Sequence, residues 1–112
     1  MCDFKQLYCG IEGYVFRCNQ CGYYQIGFSS LMITLSETDY QCMYESVIIA
    51  CRRVEYFEDD YLKQIVLPTP YPGVNIFLNV LELKSFTQML DAANNEIVSL
   101  EFINMFESNR KH

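Results

Sequence analysis

The sequence predicts an α+β fold: one antiparallel sheet of about five strands with two or three helices packed on it, opened by a hairpin that carries a Cys-x-x-Cys pair at its tip. Three observations lead there. Short aromatic and β-branched runs alternate with turn residues early in the chain, a helical apolar stripe follows a capping signal at Ser36, and the same order of strand, cap and helix returns after residue 64. At 112 residues, 51% of them apolar, the chain suits one hydrophobic core, so residues 1–112 read as a single domain.

Gly13 to Arg17 and Gly22 to Phe28 read as two strands joined by Cys18-Asn19-Gln20-Cys21. Tyr14, Phe16, Tyr24, Ile26 and Phe28 are expected on one face of that hairpin, as core. Leu31, Ile33 and Leu35 alternate as a third strand.

Ser36-Glu37-Thr38-Asp39 has the form of a capping box, in which the Ser hydroxyl satisfies a first-turn amide. From Tyr40 the apolar positions 40, 43, 44, 47, 48, 51 and 54 make one helical stripe, which carries the first helix to about Phe57. Gln64 to Leu67 and Val74 to Leu78 read as strands around the stiff, exposed loop Pro68 to Gly73. Asn79 to Glu82 can cap a second helix with the stripe Leu83, Phe86, Leu90 and Ala93. Asn94-Asn95 offers a stop, and Glu96 to Phe106 is expected as a third helix. The two strand-then-helix halves resemble a loose duplication, Leu31 to Met43 against Ile76 to Met89.

Fourteen acidic and eight basic residues give a net charge of −6, which argues against nucleic acid as a partner because phosphate recognition needs cations. Arg52-Arg53 is offset by Glu55, Glu58, Asp59 and Asp60, and those acids read as solvated charges rather than a catalytic pair. No apolar run approaches the roughly 20 residues of a membrane span. Residues 1–10 lack the pattern of a secretory signal, so a cytoplasmic location is expected.

Chemistry, if present, lies in six cysteines at positions 2, 9, 18, 21, 42 and 51. In a reducing compartment these are thiols or metal ligands rather than disulfides. Cys18-x-x-Cys21-Gly22 is the half-site of a zinc knuckle, two thiolates converging on one tetrahedral ion while the glycine turns the chain. Cys9 sits too far away, since nine extended steps cover up to roughly 30 Å. If Phe4 to Tyr8 folds back through Cys9 to Glu12, with Tyr8 facing Gly13 and Phe4 facing Arg17, Cys2 lands beside the knuckle. Cys2, Cys18 and Cys21 are therefore the candidate zinc ligands, with Cys42, Cys51 and His112 left as candidates for the fourth. Thioredoxin-like chemistry needs the motif at a helix N-terminus, and here a strand follows. The sole histidine, His112, sits in the tail, so no nucleophile has a well-placed base, and no catalytic residue is assigned.

The run Gly13-Tyr14-x-x-x-Cys18-x-x-Cys21-x-x-Tyr24-x-x-x-Phe28, with Ile65-Val66-Leu67-Pro68-Thr69 and Leu81-Glu82-Leu83-Lys84, resembles a family of short uncharacterised bacterial proteins known as a domain of unknown function. The resemblance covers most of the chain and implies that an N-terminal Cys and the C-x-x-C hairpin go together, which matches Cys2, Cys18 and Cys21; Cys9 departs from the pattern. It implies no activity. Two readings stand: a non-catalytic structural or protein-interaction module, zinc-stabilised and able to dimerise, or a small-molecule binder or enzyme with a cleft between the two halves.

Overall fold

The computed structural model describes residues 3–110. Four strands, β1 (Phe4–Gly10), β2 (Gly13–Cys18), β3 (Tyr24–Phe28) and β4 (Leu31–Leu35), form an antiparallel meander in the order β1-β2-β3-β4. Helix α1 (Glu37–Cys51) follows, and a separate hairpin of β5 (Ile65–Pro68) and β6 (Asn75–Leu78) leads into helix α2 (Val80–Arg110). The α+β expectation holds, but the single five-stranded sheet divides into a four-stranded and a two-stranded one. The two strands of the second sheet pair with each other, Ile65 opposite Leu78 and Pro68 opposite Asn75. Periodicity marks strands and says nothing of their nonlocal partners.

Both capping signals operate. The Ser36 hydroxyl accepts the Asp39 amide at 3.2 Å. At α2 the box is reciprocal: Asn79 Oδ1 accepts the Glu82 amide at 2.7 Å, and Glu82 Oε1 accepts the Asn79 amide at 3.0 Å. The predicted extent of α1 to Phe57 is corrected to Cys51. There the chain tightens into a 3-10 turn over Val54–Tyr56, with Arg53 N–H donating to Ala50 at 3.0 Å and Phe57 N–H to Val54 at 3.1 Å, and Val54 and Phe57 still reach the core.

The expected stop at Asn94-Asn95 and the separate third helix are also corrected, because α2 runs unbroken for 31 residues. An asparagine costs about 0.7 kcal/mol at most in a helix. Burial of Leu90, Ala93 and Ile97, in one register across the asparagines, outweighs that. Inside the sheet, Val15, Ile26, Ile33 and Leu35 meet Leu83, Phe86 and Leu90 of α2 in one core to which every strand and both helices contribute. Phe86 is fully buried, its ring 4.8 Å from that of Phe28.

Register corrects the expected face of the hairpin. Tyr14 lies opposite Gly27 and Val15 opposite Ile26, so Tyr24, Ile26 and Phe28 point to the core while Tyr14 and Phe16 stack at 4.7 Å on the outer face. A turn with an even number of residues pairs Tyr14 and Phe16 with odd-numbered residues of β3, Gly27 and Gln25, and so puts them on the face opposite Tyr24. Gly27 is part of this arrangement: a Cβ there would sit 2.2 Å from the Tyr14 ring. β1 also pairs beyond expectation, Phe4 opposite Cys18 rather than Arg17 and Tyr8 opposite Val15 rather than Gly13, with a bulge between Gln6 and Tyr8.

Asn79→Ala is expected to lower stability by about 1 kcal/mol, and Phe86→Ala by about 3–5 kcal/mol. Chemical denaturation of the two variants checks the order.

Candidate functional site

Cys18 closes β2 and is buried, whereas Cys21 is exposed. Between them the backbone folds around the first sulfur. Cys21 N–H donates to Cys18 Sγ at 3.4 Å, Gly22 N–H to the Cys18 carbonyl at 3.0 Å, and Cys18 N–H to the Tyr23 carbonyl at 2.8 Å. Gly22 takes φ +77°, a left-handed conformation that any side chain would strain. The N-terminal strand is tied to the same loop, since Asn19 N–H donates to the Asp3 carbonyl at 2.8 Å.

Of the expected ligands, Cys2 and His112 lie outside the described residues. Cys18 and Cys21 share the hairpin turn, and Cys9, opposite Tyr14, is at the other end of β1. Cys42 is exposed on α1 among Asp39, Ser46 and Thr69, and Cys51 Sγ lies 3.0 Å from Thr87 Oγ1 of α2; neither lines the hollow formed by Phe4, Cys18, Cys21, Tyr23 and Thr34. Among the described residues, no three His, Cys, Asp or Glu side chains are grouped to hold a metal.

A second chemical feature escaped the sequence reading. Tyr24 and Tyr40 stack at 4.1 Å between sheet and α1, and the Tyr44 hydroxyl donates to Asp91 of α2. Burial raises the Tyr24 and Tyr40 pKa values, and the Asp91 bond, with desolvation behind it, pushes Tyr44 up to about 12. Among the described residues the buried Tyr40 hydroxyl has no hydrogen-bond partner. Only a pairing of elements distant in sequence creates this cluster.

The third feature is on α2. Its docked stripe of Leu83, Phe86, Leu90, Ala93 and Ile97 ends on the half-buried Leu100, and that direction otherwise carries Glu101 and Asn104. A new stripe, Val98, Phe102, Met105 and Phe106, begins roughly 120° around the helix, at about 100° per residue. Upstream that second face is polar, with Lys84, Gln88, Asp91 and Asn95. Val98, Phe102, Met105 and Phe106 are each more than half exposed, up to 64% at Phe102. The i, i+4, i+7, i+8 spacing was a legible signal. Reading Asn94-Asn95 as a boundary obscured the change of face.

The space between the two halves of the chain is filled by the shared core, with Ile65, Leu67, Ile76 and Leu78 of the second hairpin joined to the side chains of the first. A hollow of 320 Å³ opens at the surface between α1 and β5, lined by Ser46, Arg53, Phe57 and Gln64 among others. Asp59 and Asp60 are exposed, as expected of solvated charges. Among the described residues no helix is long and apolar enough to cross a membrane. Residues 1–111 match the family of unknown function DUF6686. No curated protein and no solved structure matches the chain.

Stability is expected to fall as pH rises from about 10 towards 12. Over that interval the unfolded chain releases the Tyr44 proton from an ordinary value of 10.0 while the folded chain holds it up to about 12. Spectrophotometric tyrosinate titration beside circular dichroism checks this: Tyr24, Tyr40 and Tyr44 should ionise with unfolding, after the exposed tyrosines. Tyr40→Phe keeps the ring stack and removes an unbonded buried hydroxyl, so the variant should melt at or above the wild-type temperature.

Proposed function

The chain belongs to the DUF6686 family of unknown function, and we propose that it works as a single-domain, non-catalytic protein-interaction module whose contact surface is the C-terminal part of α2 and whose partner is a second copy. The observation that carries this reading is the change of face along α2. Past Leu100 the direction that docks on the chain's own core turns polar at Glu101 and Asn104, while an apolar stripe opens on another side. A stripe meant for the same core would have stayed in register.

Symmetry favours a second copy. Val98, Phe102 and Phe106 are spaced evenly about Phe102, so an antiparallel helix places Val98 against Phe106 and Phe102 on the two-fold axis. That orientation also sets the two helix dipoles in opposition. A phenylalanine offers roughly 150–250 Å², so the two rings with Val98 and Met105 at about half exposure give roughly 400 Å² per copy. The pair then buries about 800 Å² through this stripe, the size of a weak association rather than an obligate one. The charge of −6 opposes association only over about a Debye length, roughly 8 Å at physiological salt.

In this reading the protein is cytoplasmic and binds neither membrane nor nucleic acid. Core side chains fill most of the space between the halves, which weighs against the small-molecule alternative, whose remaining ground is the surface hollow between α1 and β5.

Light scattering coupled to size exclusion tests the reading. Wild-type protein at micromolar concentration is expected at twice the 13.2 kDa chain mass. Phe102→Asp places two carboxylates on the axis and should give the monomer with its melting temperature nearly unchanged, since the residue is 64% exposed. A wild-type monomer across that range, or a dimer indifferent to Phe102→Asp, overturns it.

A further inference from the structure

We propose that the hollow between α1 and the free edge of β5 binds an extended peptide, which adds as a strand antiparallel to β5 and sets a carboxylate at its C-terminal end against Arg53. The site lies apart from the end of α2 and does not depend on dimer formation.

The hollow follows an edge of the strand rather than a face. Five consecutive residues, Gln64 to Pro68, line it. Side chains of a strand alternate between its two faces, so a hollow over one face would meet every second residue, and contact with all five places it along the backbone edge. Among the described residues that edge has no strand partner, because β5 pairs with β6 alone. Pro68 within β5 fits the same reading, since proline in a sheet is confined to edge strands and bulges.

The opposite wall is apolar. It is supplied by Ile49, half exposed, and by Ala50 and Phe57, which also pack against the core. An added strand lays alternate side chains on that wall while its backbone pairs with β5, the combination through which strand addition gains affinity and selectivity. At 320 Å³ the hollow is at the lower limit of ligand sites, which begin at roughly 300 Å³, so the segment it holds is short.

Charge and direction identify the occupant further. Arg53 is exposed, and among the described residues that line the hollow it carries the only charge. In a chain of net charge −6, a cation standing alone beside an open edge is where an acidic group fits. Cys42 and Ser46 share a neighbouring hollow with Pro68 and Thr69, which places the middle of α1 beside the end of β5 and Arg53 beside its beginning at Gln64. A peptide antiparallel to β5 runs from Pro68 towards Gln64, so its C-terminal end reaches Arg53. The antiparallel ladder is also the more stable of the two.

The test uses the full chain, nitrogen-15 labelled, and a pentapeptide of alternating valine and threonine ending in glutamate, acetylated and amidated so that the glutamate side chain is its one carboxylate. On titration the amides of Ile65 to Leu67 and of Ile49 to Arg53 are expected to shift together. Glutamine in place of the glutamate should weaken binding about two- to fivefold, the effect of an exposed ion pair. Arg53→Ala, at an exposed position, should stay folded and abolish that difference while both peptides still bind at the same place. Of two peptides N-methylated at alternate amides, one should lose binding and the other keep it, because only one set of amides faces β5. Phe102→Asp should change none of this. Unmoved groove amides at millimolar peptide overturn the proposal, as does equal binding of the two methylated peptides. Saturation of the same shifts by the amide of N-acetylglutamate would make this a site for a small acid, and groove shifts that follow protein concentration without peptide would assign the edge to a second copy; either result overturns the peptide assignment.

Discussion

Everything in this fold depends on the burial of one stripe of α2 against the inner face of the four-stranded sheet. A 31-residue helix spans about 46 Å, close to the molecule's longest dimension of 57 Å, and an isolated helix gains little stability from propensity alone. Leu83, Phe86, Met89, Leu90 and Ala93 are almost wholly withdrawn from water against that face. α1 then fills the remaining width, with Tyr40, Met43 and Val47 against the same core. The second hairpin closes the bottom edge through Ile65, Leu67, Ile76 and Leu78, while its loop reaches β4 through the bond from the Tyr71 hydroxyl to the Thr34 carbonyl.

Two consequences run outward from that constraint. Because the helix is longer than the surface it covers, its last turns leave the core past Leu100. Because one face of the meander is covered, the other carries Tyr14, Phe16 and Met32, and the thiol loop closes the end where β2 passes into β3. The contact surface proposed above thus lies on the projecting helix end, beyond the reach of the chain's own core.

Local signals in the sequence were read correctly where the physics is local. Ser36 and Asn79 cap the helices they were expected to cap, and Cys42 lies on the exposed side of α1, where its angular distance from Tyr40 put it. The strands fell within one or two residues of their observed ends. What failed was nonlocal. The faces of Tyr14 and Tyr24 are set by whether the turn between Cys18 and Tyr23 holds an even or an odd number of residues, and its four residues put the two rings on opposite faces. Asn94-Asn95 looked like a terminus because a modest propensity penalty was weighed without the burial of Ala93 and Ile97 on either side. The tyrosine cluster with Asp91 joins α1 to α2 across 47 residues, and no window along the chain contains it.

The change of face along α2 is the central claim, and amide hydrogen exchange along the helix at two protein concentrations tests it most directly. Amides up to Ile97 should be protected at any concentration because their stripe is buried in the chain itself. Those from Val98 to Phe106 should gain protection as concentration rises, since their stripe is covered only in the pair. Protection in that segment that does not change with concentration would contradict the account.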